Sequence, residues 1–187
     1  MNDIEFASDK LFNNANNIMN WMKLQNKRIK PKMDHIAINE FVDELIEPFM
    51  GMAEIKGIKI NNKVPDEDLI VSDKYILMII LQNLLSNAIK YSEQGEITFA
   101  AWADIEQYSI SVTDCGIGMP QSTLNELENI INTKEALESE PDFENGNRLG
   151  YYIIADFLYM LKGNMILKSE IGKGTIVTIQ FPQNHSL

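Results

Sequence analysis

The chain has 187 residues, one cysteine and a formal net charge of −11, enough for one domain with a full hydrophobic core and a short appendage. A surface this acidic is a poor match for nucleic acid or an anionic membrane, so an anionic ligand would have to be held by local donors and metal. The single thiol, Cys115, excludes an internal disulfide and fits a reducing compartment; no apolar run is long enough to span a bilayer, and the acidic start Met1-Asn2-Asp3-Ile4-Glu5 has no signal-peptide pattern.

Residues 8–24 are predicted to be helical, with Leu11, Ala15, Ile18 and Met22 on one stripe. Four asparagines, Asn13, Asn14, Asn16 and Asn17, make this a mediocre helix former that needs a packing partner. Pro31 follows the basic run Lys27-Arg28-Ile29-Lys30 and marks a boundary. A short strand is expected at 35–38. Asn39 is placed to cap a helix whose apolar side carries Phe41, Val42, Leu45, Ile46, Phe49 and Met50, with Pro48 as a kink. Gly57 ends that helix, and Ile58-Lys59-Ile60 alternates as a strand. A turn at 64–68 leads to another strand at 69–71.

A long apolar segment follows. Ser72 can cap its start and Asp73 suits the positive end of a helix. From Tyr75 to Leu81 it is apolar nearly all round, as a buried helix is. In its second half Gln82, Asn83, Ser86, Asn87 and Lys90 form a narrow polar stripe. Such a stripe can simply face water. Amides and a hydroxyl on a buried helix, however, need partners, and a ligand rich in donors and acceptors could supply them. An amide oxygen also suits Mg²⁺ that shares phosphate oxygens.

Strands at 96–102 and 108–113 are expected to pair as a hairpin. From Pro120 to Asn147 the chain is polar and acidic, with a short helix around Leu124, Leu127, Ile130 and Ile131, and reads as a mobile lid. A helix at 149–161 ends at Gly163, and strands at 164–169 and 175–181 flank the turn Ile171-Gly172-Lys173-Gly174. The order implies an α+β fold: helices on one face of a mixed, mostly antiparallel sheet.

Two further pieces bear on chemistry. Asp114-Cys115-Gly116-Ile117-Gly118 ends a strand, so a carboxylate sits at the sheet's edge beside glycines that let backbone approach a flat ligand. Alone, it reads better as an Asp that starts a turn. Gly146-Asn147-Arg148-Leu149-Gly150 precedes a helix whose free N–H groups suit phosphate, although glycine-rich helix starts are common.

Together these pieces resemble the ATP-binding catalytic domain of sensor histidine kinases, within the GHKL ATPase superfamily, over about residues 31–182. Residues 83–92, reading N-L-L-S-N-A-I-K-Y-S, look like the N box, and 114–119 the first glycine box. Residues 146–150 look like the second box and 170–175 like the final glycine turn. The resemblance implies a two-layer sandwich, the GHKL ATPase fold, preceded by one N-terminal helix. Residues 1–30 would be the end of a dimerisation and phosphoacceptor hairpin. Residues 31–187 would be the ATP-binding domain, with a lid at about 119–147.

The resemblance also implies roles. Asp114 would accept from the adenine amino group, supported by Thr175 through water. Asn87 would ligate Mg²⁺. Asn83 and Lys90 would reach the phosphates, and Tyr91 the ribose or phosphate side. Gly116, Gly118 and Met119 would border the nucleotide. Gly146, Arg148, Leu149 and Gly150 would form the lid hinge and phosphate site. Hydrolytic members of the superfamily carry a water-activating glutamate four residues before the Mg²⁺ asparagine. Here that position is Asn83, so transfer of the γ-phosphoryl group to an imidazole is expected, with slow intrinsic hydrolysis.

The chain departs from the pattern in several places. Its histidines, His35 and His185, do not fit an acceptor helix, so it is expected to be part of a longer receptor kinase. Such a kinase would be membrane-bound with this portion cytoplasmic, would form a homodimer, and would serve a response regulator. Arg148 stands where the second box usually has glycine, and Lys134 and Phe143 are the lid's only lysine and phenylalanine. A non-catalytic nucleotide-sensing module, or a serine kinase of the anti-sigma type, are the alternatives.

Overall fold

The computed structural model describes residues 30–132 and 149–182. The expected helix at 8–24, most of the expected lid, Gly146, Arg148 and His185 lie outside the described residues.

The elements run β1 (Asp34–Ala37), α1 (Ile38–Ile46), a 3₁₀ turn (Glu47–Phe49), α2 (Met50–Ile55), β2 (Ile58–Asn62), β3 (Leu69–Ser72), α3 (Lys74–Tyr91), β4 (Gly95–Ala103), β5 (Gln107–Thr113), α4 (Gln121–Asn132), α5 (Leu149–Met160), β6 (Asn164–Glu170) and β7 (Gly174–Pro182). Five strands form one sheet in the order β2-β4-β5-β7-β6, and β1 pairs with β3 in a separate two-stranded sheet. All neighbours in the large sheet are antiparallel except β2 and β4. The mixed, mostly antiparallel α+β architecture is therefore present. The parallel pair exists because α3 carries the chain back along the sheet before β4 begins.

One face of the sheet supplies the core. Ile97 and Phe99 of β4, Ile110 and Val112 of β5, and Val177 and Ile179 of β7 are buried. Against them lie α1, α3 and α5, whose inward side chains include Phe41, Leu77, Leu81, Leu85 and Phe157. Burying each such side chain contributes about 1.5–3 kcal/mol, so the position of α3 is strongly determined by packing. Among the described residues, no helix is long and apolar enough to cross a membrane.

Several local expectations are corrected. Asp73, not Ser72, caps α3: its Oδ1 accepts from the Ile76 N–H at 2.9 Å, and its Oδ2 accepts from the Lys32 N–H at 2.6 Å. A carboxylate can take both bonds, and Ser72 instead ends β3, paired with Asp34. Asn39 does not cap α1, which begins one residue earlier without a side-chain cap. Its amide donates to the Val64 carbonyl at 2.5 Å and so ties α1 to the segment after β2. Pro48 does more than kink a single helix. It sits in a 3₁₀ turn that separates α1 from α2, and Met50 is half exposed rather than on the apolar side. The helix expected in the lid runs from Gln121 to Asn132, with Leu124, Leu127 and Ile130 buried.

Candidate functional site

Segments far apart in sequence meet at one cavity of about 290 Å³. Leu84, Asn87, Ala88 and Tyr91, at helical spacing, make its α3 wall. Val112 and Val177 come from the sheet, Gly118 and Met119 from the loop after β5, and Tyr151 from the first turn of α5. Asp114 and Thr175 supply polar atoms, and Thr123 and Leu127 of α4 close one side.

Asp114 follows the buried run of β5. Its backbone N–H donates to the Thr175 carbonyl at 2.9 Å. Its Oδ1 accepts from the Gly116 N–H at 2.8 Å and the Thr175 N–H at 3.1 Å. Its Oδ2 takes no hydrogen bond from the described residues, so one oxygen holds the loop and the other remains an acceptor. Burial pushes the carboxyl pKa up from the ordinary aspartate value, while the bonds from Gly116 and Thr175 pull it down.

The first glycine loop is registered against the end of α3. The Tyr91 carbonyl accepts from the Ile117 N–H at 3.1 Å, and a Cβ on Gly116 would stand 2.5 Å from that same oxygen. Only a glycine lets the two segments approach this closely. Tyr91 itself lies on the cavity wall, with the Lys90 ammonium 4.8 Å from its ring centroid.

The amide stripe divides. Asn87 is half-buried and lines the cavity, and its side chain makes no hydrogen bond within the described residues. Its carbonyl oxygen is thus open to a cation. Among the described residues no three His, Cys, Asp or Glu side chains cluster as a metal site. One amide oxygen fits a Mg²⁺ that keeps its waters and arrives with phosphate, rather than a cation caged by protein alone. Asn83 is not among the residues lining the cavity. Its Nδ2 donates to the Ile79 carbonyl at 2.8 Å, and its Oδ1 would lie 3.0 Å from a Cβ on Gly150. The N box and the start of α5 therefore touch.

Three participants were not singled out from the sequence. Ser169 of β6 accepts from the Met119 N–H at 2.9 Å and contacts the Thr175 hydroxyl at 2.9 Å. Strand register across the final glycine turn, pairing Ser169 with Thr175, was the signal that could have found it. Tyr151 lines the cavity, and burial, helped by nearby Tyr91 and Asp114, pushes its pKa to about 12, so the phenol stays protonated. Lys56, just past α2, donates from Nζ to the carbonyls of Ile89 at 2.6 Å, Lys90 at 3.2 Å and Ser92 at 3.1 Å. It satisfies the orphan carbonyls that end α3 and sits at the negative end of the helix dipole. No local pattern signals that contact.

The model of the family described as "Histidine kinase-, DNA gyrase B-, and HSP90-like ATPase" matches residues 72–185. The "Non-motile and phage-resistance protein" of Caulobacter vibrioides is 26% identical over 98% of this chain and 22% of its own length. The aerobic respiration control sensor protein ArcB of Escherichia coli is 26% identical over 94% of this chain and 23% of its own. The chain thus spans about a fifth of the length of these relatives. Among solved structures, full-length ShkA in complex with AMPPNP superposes with a TM-score of 0.75 at 22% identity, covering 96% of this chain and 38% of that one. The Acinetobacter baumannii histidine kinase AdeS gives 0.73 at 15% identity, covering 99% and 87%.

Proposed function

Because the chain belongs to the family of histidine kinase-, DNA gyrase B- and HSP90-like ATPases, we propose that its cavity takes ATP with Mg²⁺ and that it transfers the γ-phosphoryl group to a histidine, as the ATP-binding catalytic part of a two-component sensor kinase. The observation that carries this reading is that Asp114, whose Oδ2 takes no hydrogen bond from the described residues, lines the same cavity as the amide-bearing half of α3.

Adenine would lie between the apolar wall of Leu84 and Ala88 and the sheet residues Val112 and Val177. Its amino group would donate to Asp114, with Thr175 alongside. Tyr91 and Tyr151 would border the ribose and phosphate side. Asn87 would hold Mg²⁺, which supplies charge neutralisation for the phosphates in so acidic a protein. Lys90 would reach the phosphates from the same helix. Gly116, Gly118 and Met119 would border the base. Gly146, Arg148, Leu149 and Gly150 would frame the phosphate end and the hinge of the lid at about 119–147.

Transfer rather than hydrolysis follows from Asn83. A neutral amide whose Nδ2 is bonded to the Ile79 carbonyl has no basic atom with which to activate water. His35 is exposed on β1 and does not line the cavity. The acceptor imidazole is taken to belong to the phosphoacceptor helices of a longer kinase, of which residues 1–30 would be the end and residues 31–187 the catalytic domain. The longer protein would be a membrane-bound homodimer, with this part cytoplasmic, passing phosphate on to a response regulator.

Two measurements test the proposal. Titration with Mg²⁺-ATP should show saturable binding, while turnover of ATP by the chain alone stays slow. A dimerisation hairpin from a related kinase, supplied in trans, should become labelled on its histidine from γ-labelled ATP. Brisk hydrolysis, or no binding of ATP, would overturn the reading.

A further inference from the structure

We propose that Ser169 fixes the direction of the Thr175 hydroxyl and thereby makes the pocket select a base that carries an amino group, rather than a carbonyl, where the ring meets Asp114. The inference rests on the nucleotide reading above and concerns the specificity of the same site.

Ser169 and Thr175 are directly paired residues of β6 and β7, at the two ends of the glycine turn. The Ser169 hydroxyl oxygen lies 2.9 Å from three groups: the Met119 N–H, the Gly174 carbonyl and the Thr175 hydroxyl. A hydroxyl has one hydrogen to donate and two lone pairs to accept with. The Met119 N–H can only donate, so it occupies one lone pair. The Gly174 carbonyl can only accept, so it needs the hydrogen. The remaining lone pair then takes the hydrogen of Thr175, and all three contacts are hydrogen bonds. In the reverse arrangement Ser169 donates to Thr175, and its oxygen faces the Gly174 carbonyl oxygen at 2.9 Å with no hydrogen between them. That arrangement makes one bond fewer and sets two lone pairs against each other, so the first prevails.

The consequence lies in the cavity. With its hydrogen committed to Ser169, Thr175 presents only lone pairs to the pocket it lines beside Asp114. Asp114 Oδ2, when ionised, is also only an acceptor. An exocyclic amine has two N–H donors to offer and can satisfy both atoms, directly or through one water. A ring carbonyl in the same place would meet acceptors alone. Without Ser169 the Thr175 hydroxyl could rotate and donate to that carbonyl, and half of the discrimination would be lost. Ser169 is thus a positioning residue that acts through Thr175. Because it also holds the Met119 N–H, it links the base-selecting end of the pocket to the start of the lid segment.

The test compares dissociation constants for Mg²⁺-ATP and Mg²⁺-ITP, which differ in having an amine or a carbonyl at this ring position. Wild type should bind ATP more tightly. Ser169→Ala should narrow the ATP-to-ITP ratio by about tenfold, the size of one hydrogen bond gained or lost. In a Thr175→Val background the same substitution should leave the ratio unchanged. Ser169→Cys keeps the volume but donates and accepts weakly, and carries the test if the alanine variant does not fold. Equal weakening of both nucleotides, an unaltered ratio, or the same narrowing in the Thr175→Val background as in wild type would each overturn the inference. A wild type that binds both nucleotides equally would sink it while sparing the nucleotide reading. A wild type that binds neither would remove both.

Discussion

Asp114 and Thr175 hold one another twice. The Asp114 N–H donates to the Thr175 carbonyl, and the Thr175 N–H donates back to Asp114 Oδ1. The end of β5 and the start of β7 are thereby locked, and the side-chain carboxylate cannot turn without breaking a bond. Its second oxygen is presented at a set angle before any ligand arrives, which lowers the ordering cost of binding.

Replacing Asp114 with Asn keeps this frame but reverses the exposed atom. The amide oxygen must stay on the Gly116 and Thr175 N–H groups, so the NH₂ group faces the cavity where an acceptor stood. ATP affinity should fall by about 10–100-fold, the range for a hydrogen bond to a charged group. Titration calorimetry measures the loss, and an unchanged affinity would show that adenine is not read here.

The same pair gives a pH dependence. Burial raises the Asp114 pKa, and on the proposed reading the ionised form would be the acceptor for the base. Wild-type ATP affinity should therefore fall on acidification at a higher pH than an ordinary aspartate would allow. Asp114→Asn, measured alongside, should lack that component while sharing the titration of the nucleotide itself.

Two glycines in the final turn separate backbone freedom from space. Gly172 (φ +76°) has open space where a Cβ would stand, whereas at Gly174 (φ +95°) a Cβ would collide with the Asp114 carbonyl oxygen. Gly172→Ala should cost only the left-handed penalty, about 1–2 kcal/mol. Gly174→Ala should cost more and also lower ATP affinity, because the collision displaces the β5 end that carries Asp114. Denaturant unfolding and nucleotide titration on both variants check the contrast.

Among the described residues, Lys56 holds the cavity-lining helix α3 through the carbonyls at its end. Lys56→Met keeps the stem but leaves the Ile89, Lys90 and Ser92 carbonyls without its ammonium. Stability should drop by about 1–2 kcal/mol, with Lys56→Arg recovering part of it. Chemical denaturation reads the change, and an unaltered midpoint for the Met variant would contradict the role.

Asp156 is part-buried on α5 with no hydrogen-bond partner among the described residues, and burial lifts its pKa to about 6. A raised carboxyl pKa means that the folded state holds the proton more tightly, so ionisation costs stability. That cost is full above about pH 6 and disappears as pH falls toward the unfolded value of about 4. Allowing for solvent screening of a partly exposed group, it amounts to about 1 kcal/mol. Asp156→Asn should therefore raise the melting temperature by about 2–4 °C at about pH 7.5, with the advantage gone near pH 4. Thermal scans across that range decide it.

Much of the molecule was readable from local patterns. The apolar run from Ile76 to Leu81 marked the buried helix, and alternation in β2, β4 and β5 marked those strands, because side-chain period follows directly from backbone geometry. Asp114 at a strand end and the amides on α3 stood out by residue type, but their pairing around one ligand came only from the resemblance to the ATP-binding domain of sensor histidine kinases. Tertiary packing then decided matters in which period plays no part. It chose Asp73 over Ser72 as the cap, turned Asn39 toward Val64, and set β2 parallel to β4. It also carried Lys56 to the end of α3 and brought Ser169, by strand register, under Thr175. Such contacts join residues separated by many positions, and their energy depends on distance and direction in the folded chain. Side-chain periodicity and residue chemistry could therefore name the elements and the candidate ligand groups. Which atom faces which, and with which hydrogen, exists only once the sheet has closed against α3 and α5.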